Sequence, residues 1–334
     1  MDNVDNFDKM IASASGAIDF IFNPSPKDNV LILTDNFSET IAQSFKHAFE
    51  NIGCIVDTFK IEDDKRPLKE IPPQLELLLK DKTIVLNIIK AFPEEIPFRI
   101  KWIFKVEENK NIKMGHMPGI TEDMMMRSVN VDFKKMKTDA DRLISSLKDA
   151  AQINIRTDAG TNVTLGVKER IFSEDIGVKN GEMCNLPCGE VYCAPLETEA
   201  NGIIVFDASI GDIGLLKHPL KIFVSKGRIT KFESADQDLV QTITLLTDVD
   251  EDAKVIGELG IGVNPGAKIT GNMLEDEKTL GTAHIAFGNN EDFPGGGKNF
   301  SKIHRDYLMY NPTITVLFAD HSEKVILDKG IIVC

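Results

Sequence analysis

The chain has 334 residues, of which 42% are apolar, so it is too long for one ordinary core and two domains are expected. Lys plus Arg at 38 against Asp plus Glu at 52 leaves a net charge of −14, and that acidic balance argues against a nucleic-acid or membrane-surface protein. The opening "MDNVDNFDKMIASASGAIDFIF" has no basic segment ahead of its apolar one, so a secretory signal is not expected. No apolar run reaches the roughly 18–20 residues of a membrane span. Five cysteines, an odd number in a long chain, fit a reducing cytosol better than a disulfide framework, so a cytoplasmic location is expected.

The first third alternates strand and helix. "NVLILTD" (29–35) is a short apolar run ending in turn residues. The stretch 37–53 then places Phe37, Ile41, Phe45, Ala48, Phe49 and Ile52 at helical spacing, with Ser38 as cap and Gly53 as stop. A strand over 54–61, a helix over 72–81 and a strand over 82–89 complete a βαβαβ pattern, the signature of a parallel sheet. The loop "TDNFSET" after the first strand has no glycine-rich phosphate motif, so the shape is Rossmann-like and a nucleotide is not expected. The stretch 107–150 is charged, methionine-rich and mostly helical in pattern, with a turn at Met117–Gly119 and a cap at Thr121. His116 stands alone there and reads as an exposed or hydrogen-bonded histidine.

From 151 the texture changes. "QINIRTDAGTNVTLGV" (152–167), "LKIFVSKGRITKFE" (220–233) and "TITVLFADHSEKVIL" (313–327) alternate around turn residues and read as hairpins, and 237–249 is the one clear helix. The expected organisation is a Rossmann-like α/β domain with a helical connector over 1–150. A β-rich α+β catalytic domain, with an antiparallel sheet or barrel, is expected over 151–334. Cys184, Cys188 and Cys193 are irregularly spaced and no fourth soft ligand follows, so small buried thiols are expected in place of a zinc knuckle.

The second half holds acidic and imidazole residues in apolar settings. Glu190 lies in "NLPCGEVYCAP" and Glu258 opens "ELGIGVNPGA". Glu277 and His284 share "LEDEKTLGTAHIAFGNN", and "SKIHRDYLM" (301–309) sets His304 and Asp306 two apart in a strand, hence on one face. Each alone has an ordinary reading: a loop carboxylate, a solvated acid, a core histidine. Together they point elsewhere, because a buried ionised carboxylate costs several kcal/mol unless something positive neutralises it. Nitrogen and oxygen donors without thiolate suit Zn²⁺, Co²⁺, Mn²⁺ or Fe²⁺. Two ions ~3.5–4 Å apart could share a carboxylate and activate water. His284, His304 and Asp306 alone would make the facial triad of a mononuclear iron site. Composition leaves both open. His304-Arg305-Asp306 also spells a kinase catalytic-loop tripeptide, but no D-F-G follows and no glycine-rich loop with a strand lysine precedes it.

At "NLPCGEVYCAP…NGIIVFD", "ELGIGVNP", "LEDEKTLGTAHIAFGNN" and "SKIHRDYLM", in that order, the sequence resembles the aminopeptidase T family of leucyl-aminopeptidase-like thermophilic metallopeptidases. The resemblance implies a Rossmann-like domain followed by a β-rich catalytic domain, a homodimer, and two metals per active site. It matches Glu190, Glu258, His284, His304 and Asp306 to the metal-site residues, with Glu258 bridging, and it matches Glu277 when a short length difference before His284 is allowed. One departure is visible: the family tyrosine shortly after "HxAxG" is missing from "HIAFGNNEDFPGGG". Proteins related to the family include an iron-dependent 2,5-dihydroxypyridine ring-cleaving dioxygenase with a His, His, Asp set. The expected activity is therefore that of a metal-dependent aminopeptidase, releasing N-terminal residues from short peptides by metal-activated water. Two Zn, Co or Mn ions would serve it, with Glu258 relaying the proton. The alternatives are an iron dioxygenase on the same scaffold and a non-catalytic metal-binding relative.

Overall fold

The computed structural model describes residues 2–334, which divide into two units. The first comprises residues up to Lys134 together with Asp175–Cys188, and the second comprises Lys135–Glu174 and Gly189–Cys334. The boundary expected at 150 thus falls earlier in the chain, and a later segment returns to the first unit.

In the first unit the strands β1 (Asn29–Asp35), β2 (Ile55–Ile61), β3 (Ile84–Ile89) and β4 (Lys113–Pro118) form a parallel sheet in the order β2-β1-β3-β4. A short strand, Met183–Asn185, extends it on the β4 side, with Met114 opposite Met183. All of β3, and β1 beyond its first residue, are buried, as continuous apolar runs covered on both faces should be. The helix Glu39–Ile52 buries Ile41, Ala42, Phe45, Ala48 and Phe49 and stops at Gly53, whose φ of 97° is left-handed. Ser38 stands at the N-cap position, but its side chain makes no capping bond; its own N–H donates to Asp35 Oδ1 at 2.9 Å. Leu31, Leu33, Val85, Ile89, Phe98, Trp102 and Met114 pack one side of the sheet. At the carboxyl ends of β1 and β3 the Arg66 guanidinium holds Asp35, both oxygens of Glu95 and the Lys90 carbonyl, an ion network almost entirely shielded from water.

The stretch 107–150 is less helical than its pattern suggests. Lys113–Pro118 is a strand, and Gly115 is tolerated within it because the side chains of Leu86 and Phe22 fill the space a Cβ would take. Pairing on both edges overrides a weak local propensity. The cap at Thr121 is present: its hydroxyl accepts from the Met124 N–H at 3.2 Å. His116 is buried on β4 beside Asn87. A helix over Asp2–Ile21, which the sequence pattern had not marked, buries Met10, Ala14, Ala17, Ile18 and Ile21.

The second unit is built on two antiparallel sheets. The eight-stranded one runs Arg228–Glu233, Leu220–Ser225, Ala200–Phe206, Asn162–Gly166, Ala150–Arg156, Thr313–Phe318, Glu323–Asp328, Ile331–Ile332, and contains the three expected hairpins. The seven-stranded one runs Gly214–Leu215, Ser209–Ile210, His304–Tyr310, Thr282–Gly288, Ile256–Gly262, Glu190–Cys193, Ser173–Glu174. Its two central strands are buried at every position, so the Glu and His within them are core residues by location. Cys184, Cys188 and Cys193 are buried thiols and divide between the two units. No helix among the described residues is long and apolar enough to cross a membrane.

Candidate metal centre

Directly opposed residues of an antiparallel sheet share a face, so the register of the seven-stranded sheet places the candidate residues. Glu258 opposes Ala286, which opposes Asp306; Gly260 opposes both Tyr192 and His284; Gly262 opposes Glu190; Gly288 opposes His304. One sheet face therefore carries carboxylates on three strands (Glu190, Glu258 and Asp306) and imidazoles on two (His284 and His304), with Gly260, Gly262, Ala286 and Gly288 among the positions between them. The small residues make the room. A Cβ on Gly260 would lie 2.1 Å from Cε1 and Nε2 of His284, so the imidazole lies directly over that glycine.

The side chains converge. His284 Nε2 is 3.5 Å from Glu190 Oε2 and 3.5 Å from Glu258 Oε1. His304 Nε2 is 3.0 Å from Glu258 Oε2 and 3.3 Å from Asp306 Oδ1. Two groups result, Glu190 with Glu258 and His284, and Glu258 with His304 and Asp306, each with donor atoms within 4.8 Å of one another. Glu258 belongs to both. Donors ~2.1 Å from a tetrahedral ion stand roughly 3.4 Å apart, so these separations suit ligands around shared ions. His304 fits for a second reason: its Nδ1 lies 2.7 Å from the Asn289 carbonyl, which can only accept, so Nε2 of the neutral ring holds the lone pair and faces the carboxylates.

Charge explains why such a cluster wants cations. Burial works to raise the Glu258 carboxyl, but the His284 and His304 rings outweigh it and hold the group well below the usual carboxylate range. Burial works to lower His284, yet Glu258, Glu190 and Asp306 lift it to about 9. His304 is raised well above its ordinary value against the same burial, by Asp306 and Glu258. The imidazoles take up protons where positive charge is otherwise missing.

Glu277 stands in neither donor group. Burial raises its carboxyl, Lys278 pulls it back, and Asp306 raises it further, so it faces the cluster while its Oε1 accepts from Lys278 Nζ at 2.9 Å. Lys278 was not singled out by sequence. Its ammonium is buried and also donates to Glu190 Oε1 at 2.5 Å, leaving Oε2 turned toward His284. The stretch around it looked like a solvated acidic run, but Glu275, Asp276 and Lys278 are fully buried. The carboxylates of Glu275 and Asp276 receive backbone N–H groups of Lys268, Thr270 and Gly271. The Glu258-x-Gly260-x-Gly262 alternation, which the sequence reading did not use, marks room beside a carboxylate.

Known proteins share this fold. A dioxygenase for 2,5-dihydroxypyridine from Pseudomonas putida KT2440 superposes with a TM-score of 0.76 at 15% identity, over 97% of each chain. Wild-type AmpT from Thermus thermophilus superposes with a TM-score of 0.74 at 15% identity, over 98% of this chain and 99% of its own. At such identity the two share the fold. No curated protein matches by sequence. The profile of the thermophilic metalloproteases (M29) matches residues 128–331, more than half of the chain and the whole of the donor set. The chain belongs to the thermophilic metalloprotease family M29.

Proposed function

We propose that this metallopeptidase is an aminopeptidase that removes the first residue from short peptides. Glu190, Glu258, His284, His304 and Asp306 would hold two divalent ions, Zn, Co or Mn. The observation that carries the reading is the meeting of two donor groups at one shared carboxylate, Glu258. The ions, when bound, polarise a carbonyl oxygen and make water acidic enough to react at neutral pH. Asn289 fixes the His304 ring, and Lys278 turns one oxygen of Glu190 toward the donors and holds the other.

We assign the proton relay to Glu277 in place of Glu258, the residue expected from the sequence. Both oxygens of Glu258 are turned to the donor groups, Oε1 toward His284 and Oε2 toward His304, whereas Glu277 belongs to neither group and its carboxyl is raised by burial and by Asp306. Glu258 then serves as the shared ligand. A mononuclear iron site would require His284, His304 and Asp306 about a single point, and the donor groups among the described residues do not take that form.

Metal analysis after purification without added ions should find near two Zn, Co or Mn per chain. Leucyl-p-nitroanilide turnover should vanish on chelation and return with Co²⁺. One iron per chain would favour ring-cleaving oxygen chemistry instead. His304→Ala with full metal content and full activity would remove the site assignment.

A further inference from the structure

Among the six acidic and imidazole side chains of the cluster, His304 is 30% exposed and the other five lie between 1% and 15%. A ligand arriving from water meets the cluster at His304. That entrance has an aromatic lining. The Phe293 ring stacks on the His304 ring, 5.6 Å between centroids and 27° between planes. The Tyr192 ring, two residues after Glu190 on the same sheet face, meets Phe293 edge-on at 5.6 Å and 88°.

Phe293 is carried by a connection that is anchored at its base despite its "PGGGKN" tip. Asn290 Oδ1 accepts from the Asn299 N–H at 2.9 Å, and Asn299 Nδ2 donates to the carbonyls of Gly288 at 2.6 Å and Asp252 at 2.9 Å. Glu197 Oε1 accepts from Asn290 Nδ2 at 3.1 Å and from the Lys298 N–H at 2.8 Å, while its other oxygen pairs with Arg170 at 2.5 Å. The ring is therefore held in place beside the donors.

We propose that Phe293, backed by Tyr192, is the wall that receives the side chain of the substrate's first residue, so that leucine, methionine and phenylalanine are preferred over glycine. The inference rests on the aminopeptidase reading. In such a substrate the free amine and the reacting carbonyl both flank one α-carbon. With those two groups at the donor cluster, the side chain projects within a few ångströms of it, and Phe293 is the apolar surface packed against the exposed ligand. Filling or emptying an apolar pocket of this kind changes selectivity about 10- to 100-fold.

The test measures binding separately from turnover. Amino-acid hydroxamates carry a free amine and a metal-chelating group, and their affinities for the cobalt-loaded protein can be read by calorimetry. Phenylalanine hydroxamate should bind at least about tenfold tighter than glycine hydroxamate, with Phe293→Ala reducing the ratio below about threefold at unchanged metal content. Phe293→Gln, which keeps the length of the side chain, should lose the ratio as well and guards against a local folding defect, while Tyr192→Phe should retain it. A wild-type protein without the preference, or either Phe293 variant that keeps it, overturns the proposal. If the preference holds but no aminoacyl anilide is hydrolysed with any divalent ion, the peptidase reading falls and the aromatic wall stands.

Discussion

A Cβ on Gly260 would stand 2.1 Å from Cε1 and Nε2 of His284, closer than any real contact allows. Both partners sit in strands buried at every position, so the backbone has little freedom to yield and the imidazole must move instead. Gly260→Ala should therefore keep the fold, at an overpacking cost of about 1–3 kcal/mol, while His284 leaves its place between Glu190 and Glu258. The expected result is loss of close to one metal per chain and a fall in anilide turnover of at least about 100-fold, since misplacement by ~1 Å already costs that much. Metal analysis beside circular dichroism checks it; an alanine variant with both metals and near-normal turnover would mean that His284 does not sit over this glycine. Lys278 is the complementary case. Its burial follows from how 264–279 folds back on itself, through Asn264, Thr270 and Asp276, and nothing in the string "LEDEK" separates a buried lysine from a solvated one. Glu190, Glu258 and His284 drew notice for the opposite reason, since each interrupts an apolar or glycine-rich stretch where a charge is out of place, and His304 and Asp306 did so by standing two apart on one strand face.

Elements were legible where a repeating apolar pattern outlasted the noise. β1, the helix Glu39–Ile52 and β3 follow such patterns closely, and so do the hairpins of the second unit. β4 does not. Its six residues include Gly115, His116 and Pro118, and it is a strand because β3 and Met183–Asn185 pair with it from either side. That placement determines the chemistry of His116. Trp102 Nε1 donates to Asn87 Oδ1 at 2.7 Å, Asn87 Nδ2 donates to His116 Nδ1 at 3.0 Å, and so the ring is an acceptor in its neutral form. Burial, and then the Arg99 charge, push its pKa down to about 3. A group whose folded value lies below its unfolded value of about 6.5 binds its proton only on unfolding in that interval. Stability from this source is present above pH 6.5 and is lost as pH falls toward 3, at a limiting slope of about 1.4 kcal/mol per pH unit. His116→Asn, whose amide oxygen can accept from Asn87, should flatten the dependence by about that slope between pH 6 and 4. Urea unfolding followed through Trp102, the single tryptophan, would measure it; an unchanged slope would mean that His116 is not buried as a neutral ring.

At the scale of the whole molecule, a net charge of −14 attracts divalent cations to the surface as well as to any built site, and the two attractions separate by salt. At 1 M salt the screening length falls to about 3 Å, so diffuse attraction to surface acids is largely removed. A site such as Glu190, Glu258, His284, His304 and Asp306 is different. Its donors are mostly buried and act at contact distance, where salt screens little. Binding to the folded chain alone stabilises it by about 2.7 kcal/mol when free ion stands at a hundred times its dissociation constant. For a domain of 150–250 residues this is a rise of roughly 5–10 °C in melting temperature. Chelated protein should therefore melt lower than cobalt-loaded protein by that amount, and most of the difference should survive in 1 M NaCl. In His304→Ala, which removes one donor from the group it shares with Glu258 and Asp306, the salt-resistant part should shrink by at least half. A metal-induced shift that disappears in salt, or that His304→Ala leaves intact, would mean that the acidic surface captures the ions and that the converging side chains do not.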